Sequence, residues 1–399
     1  MQLYSTNFYI NNFAALLFLV SFLFGFCRHS SAQDWKAPYD GVEYARADYK
    51  LGNDPVKINL LRLDLKKVRL DVHHAFDKAT GVQPTSEIAR QHGATAAINA
   101  GFFRLDKTEF AGDAAGILVI DGDLWSESHE DRIGIRIKNG NKRTEVLFDH
   151  LRSETKVVNN SGVLHAVSVS GINRQRKVAD VIVYTPAFGE RTLTDTLGTE
   201  VIFRNCRALA KCRMGAVERA GNSIIPKDGF VLSVGPGRSE ELEPLLKRLK
   251  DEANESGAKL ISVFAGRPQF QLDSTDDVTN GIPQLIKNGK IDITWEQEKA
   301  SKSFTELRHP RTAVAKLKDG KFLMITVDGR QPGVSVGMNL QELAEYLLSL
   351  GATDAMNLDG GGSTTMFLDG KVVNTPSDKE GERKVSDAIV VTLRKNSRR

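Results

Sequence analysis

The sequence is poor in several features that define specialised protein classes. It has only 3 cysteines and 12 prolines in 399 residues, which excludes a disulfide-rich miniprotein and a collagen-like chain. Lys and Arg number 54 against 50 Asp and Glu, so the formal net charge is only +4. Because the chain also lacks a basic stripe, we predict no nucleic-acid partner. With 41% hydrophobic residues, it has the composition of an ordinary globular protein.

Long apolar runs are also absent, except near the N-terminus. Residues 13–26 form an uncharged apolar segment that is too short for a comfortable membrane span. Small residues at 30–32 precede Gln33, the layout of a secretory signal peptide, although no Lys or Arg precedes the apolar segment. We predict that residues 1–32 are a signal peptide, and that the mature chain is secreted or periplasmic with no stable membrane insertion. An uncleaved anchor is the alternative, and bulky neighbours disfavour lipidation of Cys27.

Cleavage there leaves two cysteines, Cys206 and Cys212. In an oxidising compartment such a pair is expected to form a disulfide. Closing so short a loop stabilises a fold by roughly 2 kcal/mol in the chain-entropy model. A zinc site is disfavoured, because neither the spacing nor the neighbouring residues suit one.

Strand signals are more frequent than helix signals along the mature chain. Apolar and polar residues alternate over 41–76, and Asp-Gly or Asn-Gly pairs recur between apolar runs, which predicts antiparallel hairpins. The predicted helices are 86–93, 239–256 and 339–351, the last with Asn339 as N-cap and Gly351 as its end. We predict an α+β fold of mixed, largely antiparallel sheets with a few crossover helices.

The domain organisation is predicted to be simple. No Pro-, Ser- or Gly-rich linker interrupts the chain, so residues 33–399 are expected to form one domain. Its N-terminal strand region covers about residues 33–84, and its core covers about 85–394.

Two short segments of the chain resemble each other. Five of the seven positions in 93–99 (GATAAIN) match 351–357 (GATDAMN), and each segment follows a predicted helix and precedes a glycine-containing loop. If the match reflects a repeated unit, the loop after Asn99 lies beside the loop after Asn357. Coincidence between common short elements is the alternative.

The densest cluster of glycine and polar residues follows the second segment. Asp359 precedes three consecutive glycines, 360–362, and then Ser363 and Thr364. Their conformational freedom lets successive N–H groups converge on an anion, although the loop is not a P-loop. We predict an anion-binding loop, with a merely flexible loop as the alternative.

Charged residues lie on both sides of this loop. Arg308 and Arg311 flank a proline-stiffened turn, and Asp328 and Arg330 follow an apolar strand. Arginines so placed can bind a phosphate or carboxylate through two hydrogen bonds. A later loop is too polar for the core and contributes Asp378, Glu382 and Arg383.

Several of these motifs resemble the phosphodiester glycosidase family. The similar segments are INAGFF, GDAAGILVIDGDLW, RHPRTAVA, the run from VDGRQPG to NTPSD, and GERKVSDAIVV. The resemblance covers roughly residues 90–394 and is most specific over 308–391. It implies a phosphodiester-glycosidase-like domain that hydrolyses the bond between a sugar and a phosphodiester. Residues 280–283 (NGIP) depart from the family's Gly-Gly-x-Pro, so the resemblance supports the reaction class better than the sugar.

The candidate residues suit this reaction. A phosphate attached to an anomeric carbon is already an acidic leaving group, so the site needs anion stabilisation and a carboxylate more than a strong general acid. We predict Asp359 and Asp328 as the carboxylates, Arg311 and Arg330 as phosphate-binding groups, and Asn99 as the residue that orients a hydroxyl or water. The predicted substrate-binding residues are Gly101, Arg308, Gly360, Gly361, Gly362, Ser363, Thr364, Asp378, Glu382 and Arg383.

No cofactor is predicted to be required. Asp328, Asp359 and Asn357 offer oxygen ligands that suit Ca²⁺ or Mg²⁺, but nothing in their spacing demands a metal. The leading prediction is an extracytoplasmic hydrolase of GlcNAc-1-phosphate-type bonds in a glycan, such as an envelope or exopolysaccharide phosphopolymer. A non-catalytic glycan-binding or exopolysaccharide-assembly protein is the alternative, which the two acids disfavour.

A phosphodiesterase that attacks phosphorus is a third hypothesis. It is disfavoured because the 8 histidines are scattered along the chain, apart from adjacent His73 and His74 in a predicted strand. The sequence leaves the oligomeric state and the stereochemical outcome open.

Overall fold

The computed structural model describes residues 33–129, 131–159, 162–206, 212–251, 257–265 and 272–395. The predicted signal peptide and Cys27 lie outside these residues, so cleavage and export stay predictions, as do the single domain and its division. Residues from Trp35 onward group into one compact unit. In the described part of the chain, no helix has the length and apolar character needed to cross a membrane.

Strands account for most of the described elements. The helices are α1 (Thr85–Gln91), α2 (Ser239–Asp251), α3 (Lys302–Glu306) and α4 (Leu340–Ser349). The strands are β1 (Lys36–Tyr39), β2 (Val42–Leu51), β3 (Asp54–Leu63), β4 (Val68–His74), β5 (Gln83–Pro84), β6 (Ala96–Asn99), β7 (Leu118–Ile120), β8 (Asp123–Ser126), β9 (Ile133–Asn139), β10 (Thr144–His150), β11 (Arg152–Asn159), β12 (Gly162–Ser168), β13 (Gly171–Ile172), β14 (Val181–Tyr184), β15 (Thr199–Arg204), β16 (Cys212–Glu218), β17 (Phe230–Val234), β18 (Gly257–Ala265), β19 (Asp276–Asn280), β20 (Gln284–Lys287), β21 (Lys290–Ile291), β22 (Arg311–Leu317), β23 (Phe322–Val327), β24 (Ala352–Asn357), β25 (Met366–Leu368), β26 (Lys371–Val372), β27 (Lys384–Val385) and β28 (Asp387–Leu393).

The α+β prediction is wrong, because the fold is essentially all-β. The four described α-helices have 7, 13, 5 and 10 residues, whereas strands run through every region of the described chain. The expected helices form, but they are few and short beside the antiparallel sheets. The prediction gave too little weight to residues 144–234, where one short strand follows another.

Four large sheets organise the described residues. Sheet 1 has the order β1-β2-β3-β23-β22-β24-β20-β21, and sheet 2 has the order β10-β9-β19-β7-β8. Sheet 3 has the order β12-β11-β18-β16-β15-β17-β14-β13, and sheet 4 has the order β26-β25-β6-β28-β4. The strands β5 and β27 form a small separate pair. Among the described pairings only β13 with β14 is parallel, so the prediction of largely antiparallel sheets is confirmed.

Sheet 1 is buried on both faces. Alternate side chains of its strands, such as Leu61 and Met324, pack with residues of sheets 2 and 4, including Ile98. The side chains between them face the opposite side, where helix α4 contributes Leu343 and Leu347. Each such fully buried Leu or Ile contributes about 1.5–3 kcal/mol relative to an exposed one. The ends of β22, β23 and β24 are therefore rigid platforms for the loops that follow them.

Helix α4 begins and ends where the sequence predicts. Asn339 Oδ1 accepts from Glu342 N at 2.8 Å, and the Glu342 carboxylate accepts from Asn339 N at 2.9 Å, which completes a capping box. Gly351 has φ +89, the left-handed conformation that favours glycine after a helix. The predicted disulfide between Cys206 and Cys212 is also confirmed.

Candidate active site

The two similar segments end beside each other. Strand β6 ends at Asn99 in sheet 4, and strand β24 ends at Asn357 in sheet 1. Asp359 N donates to Ala100 O at 3.0 Å, and Asn99 Nδ2 donates to Asp359 O at 2.7 Å. The prediction that the loops after Asn99 and Asn357 are neighbours is confirmed, and Asp359 lies at their junction.

The Asn99 side chain bonds strand β6 to the loop that contains Asp359. Its side chain is fully buried, and its Oδ1 accepts from Thr312 Oγ1 at 2.9 Å and from Thr365 N at 3.0 Å. Together with the bond to Asp359 O, these contacts occupy both polar atoms of the carboxamide with protein partners. The structure thus makes Asn99 a positioning residue for Asp359, and not the residue that orients a hydroxyl or water as predicted.

Asp359 is the carboxylate in the most unusual environment of the site. Its side chain is partly exposed, yet desolvation raises the pKa of the carboxyl to about 6, and the negative charge of Asp387 adds to the rise. The Ser363 hydroxyl, the Arg383 charge and the Gly360 N–H oppose it. A carboxylate that is both accessible and poised to titrate near neutral pH suits acid–base or nucleophilic chemistry.

The glycine loop has a different conformation from the predicted anion nest. Residues Gly361–Ser363 form a 3₁₀ turn, in which Gly361 N donates to Pro310 O at 2.9 Å. Ser363 N donates to Gly360 O at 3.1 Å, and Thr364 N donates to Gly361 O at 3.3 Å. Because these amides are bonded within the protein, they do not converge on one anion. The positive charge for a phosphate must come from side chains.

Two arginines lie over the glycine turn. A Cβ built on Gly361 would lie 3.1 Å from Arg330 Nη2, and a Cβ on Gly362 would overlap Arg383. The glycines therefore let both guanidinium groups approach the backbone. Arg383 Nε donates to Asp378 Oδ2 at 2.7 Å and its Nη2 to Asp378 Oδ1 at 3.1 Å, so Asp378 fixes its orientation.

Arg330 is the available cation of the site. It is exposed and makes no hydrogen bond or ion pair with any described residue. Its φ of 60 is in the left-handed region, which residues with a Cβ rarely adopt. Residues in this strained conformation are concentrated at functional sites. An arginine with free donors over the glycine turn is suited to bind a phosphate group.

Arg311 and Arg308 do not reach the site as free cations. Arg311 is buried, its Nε donates to Met338 O at 2.9 Å, and its Nη2 donates to Phe304 O at 2.7 Å. Burial, helped by the charge of the nearby Arg330, lowers the pKa of Arg311 to about 10. Arg308 Nη2 pairs with Glu342 Oε1 at 2.6 Å. Both arginines stabilise the support of the site.

Asp328 is likewise a supporting residue. Its carboxylate is buried and accepts from Thr375 N at 3.2 and 3.1 Å and from Asn374 Nδ2 at 3.3 Å. Burial raises its pKa, while these donors and the Arg46 charge oppose the rise. The structure therefore places Asp328 under the 374–375 loop, where it fixes the backbone.

Three further predicted residues also have structural partners. Glu382 accepts from Ser86 N and Ser86 Oγ, both at 2.7 Å, and so anchors the beginning of α1. Thr364 Oγ1 lies 3.3 Å from Thr312 Oγ1, the hydroxyl that donates to Asn99. Gly101 N donates to Asp387 Oδ1 at 3.0 Å, which ties the first loop to strand β28.

Sequence reasoning missed Asp387 and Asn280. Asp387 is buried, and its Oδ2 accepts from Thr279 Oγ1 at 2.7 Å. Asn280 is 1% exposed, and neither of its amide atoms has a hydrogen-bond partner among the described residues. Its carboxamide fits between Gly101 and Gly116, where a Cβ would come within 2.9 Å of it. The departure from the family pattern at residue 280 was the available signal.

His309, which precedes Pro310, and Ser363 in the glycine turn are two further polar residues of this region. His309 Nδ1 and Ser363 Oγ are both buried without a hydrogen bond of standard geometry. Burial lowers the pKa of His309, and the charges of Arg311 and Arg330 add to this effect. Unpaired buried donors and acceptors are costly to leave unbonded, and their concentration here indicates a ligand-binding site.

Comparisons with known proteins bear on this site. The phosphodiester glycosidase family model matches residues 214–392. N-acetylglucosamine-1-phosphodiester alpha-N-acetylglucosaminidase from Bos taurus is 37% identical over 108 residues, which are 25% of this chain and 20% of that protein. The match thus spans about a fifth of the length of this curated relative.

Two solved structures share the fold. A hypothetical protein from Synechocystis has a TM-score of 0.71 at 22% identity, over 92% of this chain and 64% of its own. A protein from Burkholderia pseudomallei K96243 has a TM-score of 0.70 at 23% identity, over 85% of this chain and 74% of its own. These similarities establish the fold alone. The family match includes Asp359, Arg330 and Arg383, so the predicted resemblance to the phosphodiester glycosidase family is confirmed over residues 214–392.

Proposed function

We propose that this chain is an extracytoplasmic hydrolase of sugar-1-phosphodiester bonds of the GlcNAc-1-phosphate type, in a glycan such as an envelope or exopolysaccharide phosphopolymer. The observation that carries the proposal is Asp359, a partly exposed carboxylate with a pKa raised to about 6. It lies on the loop under the unpaired Arg330, and the family match and the name of the bovine relative support the reaction class. The proposal includes no cofactor.

Two cationic groups, the exposed Arg330 and the half-buried Arg383, are proposed to bind the phosphate. Arg330 has free donors, and Arg383 is held by Asp378 over the same glycine turn. A phosphodiester there lies within reach of both guanidinium groups, whose donors stabilise the charge that develops on the leaving phosphate. The anomeric carbon attached to that phosphate then faces Asp359.

Asp359 acts on the anomeric carbon in one of two ways. As a nucleophile, its oxygen bonds to C1 while the C1–O bond breaks and the electron pair leaves with the phosphate; water then displaces the carboxylate. As a base, it takes a proton from water while the water oxygen attacks C1 and the same bond breaks. Both routes require the ionised carboxylate and give a free sugar and a phosphomonoester.

A non-catalytic glycan-binding role is the second candidate function. One observation favours it: the Asp328 carboxylate is bonded to Thr375 N and Asn374, so the pair of free acids that argued for catalysis is reduced to Asp359. Turnover and binding must therefore be measured on the same preparation.

Hydrolysis in ¹⁸O-labelled water tests the proposal. The purified mature chain is incubated with UDP-GlcNAc and with sugar–phosphate–sugar diesters, and both products are analysed by mass spectrometry. Attack at C1 puts the label in the released sugar, as we expect. Asp359→Asn should slow this release by roughly 10²-fold or more, whereas Asp319→Asn should retain it. Asp319 lies in the turn between β22 and β23, at the opposite end of that hairpin from Arg311 and Val327.

Two results would contradict the proposal. Label recovered in the phosphate would identify attack at phosphorus, and thus a phosphodiesterase. Saturable diester binding that the Arg330→Gln substitution weakens, without any product, would identify a glycan-binding protein.

A further inference from the structure

A second cluster of chemically reactive side chains lies outside the candidate active site. It consists of His73, Asp77 and His92, which each offer one ligand atom within 4.8 Å of the others. His73 is in strand β4, Asp77 follows it on a tight turn, and His92 is the C-cap residue of α1. We propose that these three residues bind a divalent zinc ion that clamps the end of α1 to the turn after β4.

The cluster lies on the α1 side of sheet 4. His73 pairs with Ala388, whose side chain packs with Ile88 and Ala89 of α1. Successive residues of a strand point to opposite faces, so the neighbouring His74 faces away from the cluster. Helix α1 has 7 residues, so its C-terminal end is about 10 Å from the end that Glu382 anchors. The site is therefore separate from the residues proposed to bind phosphate.

The imidazole nitrogens are available to a metal. The His73 imidazole makes no hydrogen bond with any residue that the structure describes, and it stacks on the His92 ring. His92 Nε2 is buried and lies 3.1 Å from Asp77 Oδ1, but the contact lacks the geometry of a hydrogen bond. A buried, unpartnered nitrogen directed toward a carboxylate is the observation that favours an ion between them.

Asp77 is oriented as a metal-binding carboxylate often is. Its Oδ2 accepts from Gln91 Nε2 at 2.8 Å, which leaves Oδ1 directed toward His92. The backbone reverses sharply to bring it there, because Phe76 and Asp77 have φ values of 58 and 52. Gln83 fixes this reversal by accepting from Phe76 N at 2.6 Å.

The ligand set selects the type of ion. Two imidazole nitrogens and one carboxylate oxygen suit Zn²⁺, with a water in the fourth position, whereas Mg²⁺ and Ca²⁺ prefer oxygen ligands alone. The His73 and His92 rings are 3.5 Å apart with an interplanar angle of 6°. Because a metal lies in the plane of each imidazole that binds it, the two rings must rotate out of this stack when the ion binds.

Metal binding by the full mature chain tests the inference. After chelation and dialysis, the wild-type protein is titrated calorimetrically with ZnCl₂, and separately with MgCl₂ as the control ion. We expect one zinc per chain, no magnesium binding, and visible d–d absorption when Co²⁺ replaces zinc. His92→Gln and Asp77→Asn should lose this binding, and Gln91→Ala should weaken it roughly tenfold, as removal of an orienting partner does.

The matched control is His129→Gln, which alters an exposed histidine outside the cluster and should bind zinc like the wild type. Urea unfolding of the metal-free variants shows whether they fold. If His92→Gln does not fold, Asp77→Asn, which lies on an exposed turn, still tests the inference. The inference is overturned if the wild type binds no zinc. Equal zinc binding by Asp77→Asn and the wild type would overturn it as well.

Discussion

The loops after Asn99 and Asn357 follow similar sequences but have different structural roles. The first contributes backbone contacts: Ala100 O accepts from Asp359 N, and Gly101 N donates to Asp387. The second presents a partly exposed carboxylate, Asp359, to solvent. A local sequence pattern therefore specifies a helix–strand–loop unit. Whether the loop makes structural contacts or exposes a carboxylate depends on the residues that pack against it.

The asparagines that end the two strands show the same division. Asn99 Nδ2 donates to Asp359 O in the other loop, while its Oδ1 accepts from Thr312 Oγ1 of strand β22. Asn357 bonds close to its own strand, with Nδ2 donating to Ile282 O at 2.7 Å and Leu358 O at 2.8 Å, and its Oδ1 is unpartnered among the described residues. One loop is thus held by the other, and this asymmetry can be tested.

Removing the charge of Asp359 should have the largest effect. Asp359→Asn keeps the size of the side chain but cannot act as nucleophile or base, so we expect kcat to fall by roughly 10²-fold or more. Its effect on folding should be small, since the carboxylate is not a main structural contact. Steady-state kinetics and the melting temperature of one preparation measure both quantities. A thermally weakened variant with kcat within a few-fold of wild type would assign Asp359 to loop stabilisation instead.

Removing Asn99 should damage stability and activity together. Asn99→Ala leaves Thr365 N and Asp359 O buried without a partner, so we expect the free energy of unfolding to fall by about 2–4 kcal/mol. Asn139→Ala is the matched control, because Asn139 is also buried and donates to Leu70 O at 2.7 Å, remote from Asp359. Urea unfolding should show a loss for both variants, but only Asn99→Ala should lower kcat. Equal kcat values for the two would remove the positioning role of Asn99.

The pH dependence of kcat/KM and of stability should show the effect of the raised Asp359 pKa. Because Asp359 has a pKa of about 6 and must be ionised to react, kcat/KM should rise about tenfold per pH unit below pH 6 and level off above it. The folded-state pKa is raised, so the folded protein holds this proton more tightly than the unfolded chain. Stability contributed by Asp359 should therefore decline as pH rises from about 4 to 6, and Asp359→Asn should lack that decline. A kcat/KM that falls as pH rises through 6 would instead make Asp359 a general acid.

Replacing the unpaired arginine should have the smallest of these effects. Arg330→Gln removes a charge that no described residue uses, so the melting temperature should stay unchanged while KM for a phosphodiester rises roughly tenfold. Arg308→Gln is the control, since Arg308 is occupied by Glu342 and Asp54. Unchanged KM in Arg330→Gln would move the phosphate site away from the glycine turn.

The sequence was sufficient to locate the site but not to assign its residues. Glycine spacing, the Asn99 and Asn357 segments and the polar loops identified the region, because those signals are local. Arg311 and Arg330 looked alike in sequence. Only the packing of α3 shows that Arg311 bonds to Phe304 O and Leu307 O, so its charge is used inside the protein. Roles that depend on tertiary partners were beyond a single sequence.

The fold was predicted in part for a similar reason. Alternating residues and Asn-Gly or Asp-Gly turns correctly indicated antiparallel hairpins, and the cap of α4 was correctly placed at Asn339. The class was wrong, because short strands such as Val181–Tyr184 are apolar throughout and carry no alternation. Asp387 was missed because it is the first residue of the apolar strand β28. A polar residue at the start of a strand is common and did not indicate a site residue.

Strand β28 has a consequence for the order in which the site assembles. It pairs Asp387 with His74 and Ala388 with Asn99, residues that are synthesised some 300 positions earlier. Until this strand emerges from the ribosome, Gly101 and Thr279 lack their shared carboxylate partner. Contacts of such long sequence separation form late and slowly. A growing chain can therefore build its early hairpins before the candidate active site is complete, because that site needs a strand close to the C-terminus.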